Sequence, residues 1–187
     1  MQLIYGTDIP DFGQPTVVTV GSFDGVHRGH QALLEAAREE AARIGGKVVV
    51  VSFEPHPRIA LGKAEGLLLL TELEEKIELL AGYGVDCLVI LPFDLDFAKQ
   101  SGIDFVNSIL IDRIGAKSLI AGYNHRFGHD HVMASELTIE GLNVVRVERC
   151  EVEGEQVSSS AIRRLIADKN YTVAERLLGH PLKCMKS

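Results

Sequence analysis

The join between Thr16-Val17-Val18-Thr19-Val20 and Gly21-Ser22-Phe23-Asp24-Gly25-Val26-His27-Arg28-Gly29-His30 most constrains what this chain can fold into. A β-branched apolar run reads as a buried strand. A glycine-bearing turn follows. A helix then runs from about 29 to 44, with Leu33, Leu34, Ala37, Ala41 and Ile44 on one face at helical spacing. The free N–H groups and positive dipole end of that helix face the carboxyl edge of the strand, a corner that binds anions. His27 and His30 fall on the same side of the turn, where two imidazoles can donate hydrogen bonds to a phosphate that gathers charge during reaction. Gly29 lets backbone approach the ligand, and Gly21 and Gly25 relieve the flanking turns. A zinc reading of the pair lacks a third ligand at conventional spacing. The corner points to nucleotide chemistry.

The same alternation runs along the chain. Strands are expected at 16–20, 47–53, 85–91, 117–121 and 143–148, and helices at 29–44, 72–82, 102–114, 159–168 and 171–178. Strands apolar on both faces and separated by helices specify an α/β fold: a Rossmann-like, doubly wound parallel sheet of about five strands with helices on both faces. Ligands then sit at the carboxyl ends of the strands. Strand order is not legible from one sequence. Residues 1–187 read as a single domain without repeats; 54–70 is the one long irregular stretch, a candidate binding loop or lid, and 183–187 a short tail.

Hydrophobic residues at 46 % and charged residues at 24 % fit an ordinary folded domain. Lys plus Arg is 19 and Asp plus Glu is 26, a net charge of −7 that argues against long nucleic-acid partners. Cys87, Cys150 and Cys184 form no CxxC pair, which speaks against a disulfide framework or zinc ribbon. The N-terminus lacks a basic region before an apolar signal core, and no apolar run is long enough for a bilayer. A cytoplasmic protein with no membrane partner is expected; oligomeric state is not readable.

Three further segments fall at strand or helix ends. Ser158, Ser159 and Ser160 precede an apolar-periodic helix carrying Arg163; one caps the helix, and the set suits the β- and γ-phosphates of a triphosphate. Gly122-Tyr123-Asn124-His125-Arg126-Phe127-Gly128 follows the strand at 117–121 and opens onto the same edge as His27; Asn124 can read a nucleotide or phosphate, and Arg126 can neutralise charge. His125, His129 and His131 invite a metal reading that a polar loop also explains. Phe53-Glu54-Pro55-His56-Pro57 is a stiffened turn at a third strand end.

Together these residues resemble the FMN adenylyltransferase module of bacterial FAD synthetases, a branch of the HxGH nucleotidyltransferases. The likeness covers nearly the whole chain. It rests on Gly21 to His30, Phe53 to Pro57, Leu70-Thr71 with Glu75-Lys76, Leu91-Pro92-Phe93 with Phe97-Ala98, Arg126 to Gly128, Val157 to Ser160 with Ile162-Arg163, and Leu177 to Gly179 with Pro181, all in family order. The resemblance implies that FMN and ATP are substrates, with Mg2+ accompanying ATP, and that FAD and pyrophosphate are products. It implies direct in-line attack of the FMN phosphate on the α-phosphorus without a covalent enzyme intermediate. His27, His30, Asn124 and Arg163 then take catalytic roles. Gly21, Ser22, Phe23, Asp24, Gly29, Ser158, Ser159 and Ser160 bind ATP, while Phe53, Pro55, His56, Pro57, Arg126 and Phe127 line the flavin side. The metal ligands stay unassigned.

The chain departs from the pattern at His125, where many relatives carry an aromatic residue, and over His129 to Ser135, which replaces basic and Gly-Asp elements. Bifunctional relatives continue past the Leu-Gly-x-Pro element into a riboflavin kinase barrel. Only Leu182 to Ser187 follow here, so no riboflavin kinase domain and no kinase activity are expected. Two alternatives remain: an HxGH transferase for another phosphorylated small molecule, and a non-catalytic flavin- or nucleotide-binding regulator. The surroundings of 53–57 and 126–135 discriminate the first, and turnover the second.

Overall fold

A computed structural model describes residues 1–183. In chain order its elements are β1 (Gln2–Tyr5), β2 (Thr16–Val20), α1 (Arg28–Ile44), β3 (Lys47–Glu54), the short α2 (Pro57–Ala60), α3 (Leu73–Gly82) and β4 (Cys87–Pro92). There follow α4 (Gly102–Phe105), continued by a π-helical stretch over Val106–Ile111, then β5 (Ala116–Gly122), a small β6–β7 hairpin (Arg126–Phe127, Val132–Met133) and β8 (Asn143–Val147). A second hairpin, β9–β10 (Glu151–Val152, Glu155–Gln156), precedes α5 (Ser159–Ala167) and α6 (Tyr171–Leu178).

The main sheet has six parallel strands in the order β1-β4-β3-β2-β5-β8. The expectation of about five is corrected by β1. It is a four-residue edge strand in which only Ile4 is buried, too short and too exposed to announce itself by pattern. The helix expected over 102–114 starts where Ser101 caps it, its hydroxyl accepting from the Asp104 N–H, but it widens to π geometry from Val106. The irregular stretch 54–70 contains α2, with Pro57 at its first turn. Residues 184–187, most of the expected tail and Cys184 among them, lie outside the described residues.

Alternation along the central strands builds two cores. Val18, Val20, Val49, Val51, Val89, Leu91 and Leu119 face the α4 side, packing on Phe105, Val106, Ile109 and Leu110. Val17, Val48, Val50, Leu88, Ile90 and Ile120 face the other side, against Leu34, Ala37 and Ala41 of α1 and Leu80 of α3. Both faces are covered, so the central strands carry apolar side chains on both sides of the sheet. A third cluster joins Leu70 and Val157 to Ile162, Ile166, Ala174, Leu177 and Leu178 of α5 and α6. No described helix is long and apolar enough to cross a membrane.

From β2 the chain builds outward through β3 and β4, then returns to add β5 on the opposite side of β2. The sheet therefore reverses its winding between β2 and β5, and the crevice beyond their carboxyl ends is where open α/β sheets hold ligands. Deleting wholly enclosed side-chain volume in this frame should be expensive. Leu88→Ala, in the enclosed β4, is expected to cost about 3 kcal/mol, read as a lower urea midpoint at unchanged m. A loss under about 1 kcal/mol would contradict a closed core at that position.

Candidate active site

The turn after β2 is tightly held. Gly25 has φ +84°, and a Cβ there would meet Leu70 Cδ1 at 2.9 Å, so the position needs glycine for both conformation and space. Phe23 and Val26 also have positive φ, 49° and 35°, although neither is glycine and both are fully buried. Each such residue costs on the order of 1–3 kcal/mol and persists because its surroundings fix it.

Asp24 does much of that fixing. Its Oδ1 accepts from the N–H of Leu70 at 2.8 Å and of Thr71 at 3.3 Å, and its Oδ2 pairs with Arg163 Nη2. The Gly25 N–H donates to Thr71 Oγ1 at 3.0 Å, and Ser159 Oγ donates to the Asp24 carbonyl at 3.1 Å. Arg163 Nε donates to the Leu68 carbonyl at 2.7 Å. His180 adds a clasp from beyond α6, one ring nitrogen lying 2.8 Å from the Gly25 carbonyl. The turn, residues 68–71 and α5 form one hydrogen-bonded unit.

Two imidazoles stand at the head of α1. His27 is its N-cap, and His27 Nδ1 accepts from the His30 N–H at 3.3 Å, which leaves the ring proton on Nε2. The two rings stack at 3.7 Å with 11° between their planes, and Phe23 supports His30 at 4.8 Å. Burial pushes His27 down to about 4, with Arg163 and His180 adding to the effect. Burial, His27 and Lys76 hold His30 well below the ordinary imidazole range. Both are neutral at pH 7. His30 Nδ1 is buried without a partner among the described residues, a donor or acceptor left over in a polar pocket.

Two cavities lie at this edge of the sheet, one of them at the head of α1. One, of about 220 Å³, is lined by His27, Gly29, His30, Asn124 and Ser158 together with Tyr123 and Arg149. Arg149 lies over the Tyr123 ring at 5.1 Å, and Gln156 Nε2 donates to the Tyr123 hydroxyl at 2.9 Å. The other, of about 460 Å³, is walled by Phe53, Phe93, Phe97, Phe105 and Phe127, with Lys63 and Arg126 supplying positive charge. Phe53 and Phe97 each lie 5.4 Å from Phe93, and Phe105 stacks on Phe127 at 6.0 Å.

The structure thus gathers His27, His30, Gly29, Asn124 and Ser158 around one cavity and Phe53, Arg126 and Phe127 around the other. It places other expected residues differently. Asp24, Ser159 and much of the Arg163 guanidinium face protein partners, and Phe23 is a buried support. Gly21 and Ser22 act through backbone, the Gly21 N–H donating to the Val51 carbonyl and the Ser22 carbonyl accepting from Ser52 Oγ. Ser158 is the α5 N-cap, and Ser160 is exposed and lines neither cavity. Pro55, His56 and Pro57 do not line the aromatic cavity. After β3 the chain turns toward Asp24 instead, and His56 caps α2 by accepting from the Arg58 N–H at 3.1 Å. In the sequence Phe93, Phe97 and Lys76 stand out only as pattern positions, and Lys63, Phe105, Tyr123 and Arg149 do not stand out at all. They lie on separate segments of the chain and share no local pattern, so their convergence shows only once strand order is known.

Among the described residues no three His, Cys, Asp or Glu side chains come together to hold a metal ion. The Asp24 carboxylate, in the turn after β2, is already engaged. A magnesium ion that keeps its waters and binds through substrate phosphates fits this donor set; a dedicated protein cage does not.

Comparison with known proteins bears on the family and the fold. The FAD synthetase family profile matches residues 9–161. The chain is 36% identical to the bifunctional riboflavin kinase/FMN adenylyltransferase of Escherichia coli strain K12, over 88% of this chain and 54% of that protein. It is 35% identical to the protein of the same description from Pseudomonas fluorescens, over 98% of this chain and 60% of the other. A solved structure described as a macrolide-efflux protein from Streptococcus pneumoniae superposes with a TM-score of 0.88 at 33% identity, covering 97% of this chain and 61% of that one. The chain spans about half the length of the curated relatives it matches.

Two outcomes follow from the geometry. Asp24→Ala leaves a cationic partner uncompensated and is expected to cost about 3 kcal/mol, while Asp24→Ala with Arg163→Ala costs less than the sum of the singles by at least about 1 kcal/mol. Additive losses in urea denaturation would mean the pair does not brace the turn. The second concerns acid. His27 and His125, each pushed down to about 4, and His30 stay neutral in the fold where unfolded imidazoles, near 6.5, take up protons. The unfolded state then binds more protons, so stability is complete above pH 6.5 and declines as pH falls toward 4. The slope is up to about 1.4 kcal/mol per pH unit for each ring. Stability that stays flat between pH 7 and 5 would contradict buried neutral histidines.

Proposed function

We propose that this chain, which belongs to the FAD synthetase family, transfers the adenylyl group of ATP to FMN, releasing FAD and pyrophosphate. The observation that carries the reading is the pair of adjoining cavities at the sheet's switch point. The five-phenylalanine cavity suits a flat tricyclic ring, held by offset and edge-to-face aromatic contacts. The polar cavity under the α1 N-terminus suits a nucleotide, with helix N–H groups and imidazoles turned toward phosphate. A slender phosphorylated acceptor such as a pantetheine would leave much of the aromatic wall without contact.

In this reading an oxygen of the FMN phosphate attacks the α-phosphorus as the bond to the β-phosphate oxygen breaks in line, and pyrophosphate carries away the charge. The protein forms no covalent bond to substrate. Its work is positioning and stabilising the charge that shifts onto the phosphoryl oxygens. His27 donates from Nε2, and His30 brings the ring nitrogen that has no partner among the described residues. Both gain basicity beside a polyanion, so their hydrogen bonds strengthen as charge accumulates. Asn124 orients phosphate from the end of β5. Ser158 and the α5 N-terminus border the nucleotide from the other side. Arg163 acts first by bracing the turn through Asp24 and Leu68. Mg2+ arrives with the triphosphate and supplies neutralising charge. One flavin phosphate and one triphosphate account for both cavities, and we propose adenylyl transfer without riboflavin phosphorylation for these residues.

The pure protein with ATP, magnesium and FMN is expected to yield FAD, followed by chromatography, and riboflavin in place of FMN is expected to yield no FMN. His27→Ala or His30→Ala should lower turnover by roughly 10²–10³, the usual loss for one transition-state donor. Absence of FAD from the native protein would sink the proposed reaction, and an unaltered rate in a folded histidine variant would remove that ring from it.

A further inference from the structure

The two cavities meet at a single side chain. His125 lines both the aromatic cavity and the cavity beneath the α1 N-terminus, and no other described residue does. Its backbone is fixed on both sides: the His125 N–H donates to the Gly122 carbonyl at 3.0 Å, and the His125 carbonyl accepts from the Ala134 N–H at 3.0 Å. Its ring leans on Phe127, with centroids 4.4 Å apart and planes at 59°. Burial alone pushes the imidazole down to about 4, with no charged or hydrogen-bonding group of the protein contributing. The ring is therefore neutral at pH 7, with one N–H to donate and one nitrogen to accept.

We propose that His125 hydrogen-bonds the phosphate of the acceptor substrate at the junction and turns it toward the α-phosphorus of the nucleotide. The proposal rests on the FMN adenylyltransferase reading. If flavin occupies the aromatic cavity and ATP the polar one, the acceptor phosphate must cross the boundary between them, and His125 is the side chain at that boundary. A phosphate monoester has its second pKa near ~6 and is largely ionised at pH 7. It needs a hydrogen-bond donor there and has no proton for a base to remove. Arg126, beside His125 on the aromatic side, and Lys63 supply the general positive charge that the neutral ring does not. His125 thus distinguishes acceptors that carry a phosphate from those that do not.

H125F keeps the aromatic wall and the contact with Phe127 but removes the donor. It is expected to raise KM for FMN about tenfold, the scale of one hydrogen bond to a charged group, with KM for ATP within twofold of native. Titration by flavin fluorescence should show the same loss for FMN, whereas riboflavin, lacking the phosphate, should bind native and variant alike. H125Q, which keeps a donor, should recover much of the FMN affinity. H125L serves the first arm should phenylalanine not fit, because it fills similar space and donates nothing. Native FMN affinity in H125F or H125L would overturn the proposal, as would an equal fall in riboflavin and FMN binding, which marks a packing effect. Native protein that forms no FAD overturns the adenylyl-transfer reading and this proposal with it. Active native protein with an unchanged variant overturns this proposal alone.

Discussion

Asp24 is 2% exposed, and its two carboxylate oxygens face the N–H groups of Leu70 and Thr71 and the guanidinium of Arg163. A carboxylate is not enclosed in this way unless its lone pairs are filled, because desolvation without partners costs several kcal/mol. The partners come from residues 68–71 and from α5, far from residue 24 in sequence. Closing the turn after β2 therefore also brings those segments to the sheet edge. Positive φ at Phe23 and Val26 becomes tolerable because the ends of the turn are tied and both side chains are packed. This turn leads directly into His27 and the N-terminus of α1, so the bracing sets where the two imidazoles stand.

Charge around the two cavities differs from that of the chain as a whole. The chain carries a net charge of −7, yet the residues around the two cavities include Lys63, Arg126 and Arg149 against a single carboxylate, Glu148. His27, His30 and His125 are held neutral chiefly by burial. Parallel stacking of His27 on His30 at 3.7 Å is compatible with that state, whereas two imidazolium rings at this spacing would repel. A bound polyanion reverses the balance by favouring the charged form of each ring it touches. Donors fixed before the substrate arrives need little reorganisation during reaction.

Much of the frame was legible because its periodicities are strong. β2 and α6 fall within the expected bounds, and β3, β4, β5, β8, α1, α3 and α5 within one or two residues. Both central cores follow from alternation in strands such as Val48-Val49-Val50-Val51, whose neighbours face opposite sides of the sheet. β1 escaped because four residues at an edge bury one side chain, and the π stretch after Phe105 because its residues also satisfy an α pattern. At the site, His27, His30 and Asn124 were visible as polar residues just past strand ends. The aromatic cavity was visible only in part, because Phe53, Phe93, Phe105 and Phe127 lie on separate segments and converge through strand order. The Asp24–Arg163 pair had no local signature, because its members lie on segments far apart in sequence and meet only through the fold.

Winding order explains why two unlike cavities share a wall. β2 sends its chain to α1 on one face of the sheet, whereas β5 turns at its end into Tyr123, Asn124 and the β6–β7 hairpin on the other side of the crevice. The first branch brings helix N–H groups and imidazoles, which suit phosphate. The hairpin carries Phe127 back against Phe105, which in turn meets Phe53, and such a wall suits a flat apolar ring. Asn124 and His125 are the residues at which the chain passes from one environment to the other. Adjacent positions of one short turn thus serve opposite requirements, Asn124 facing the polar cavity and Phe127 the apolar one, with His125 bordering both. The transfer proposed above would use such a boundary, because its two partners call for different chemistry and must still meet at one phosphorus atom.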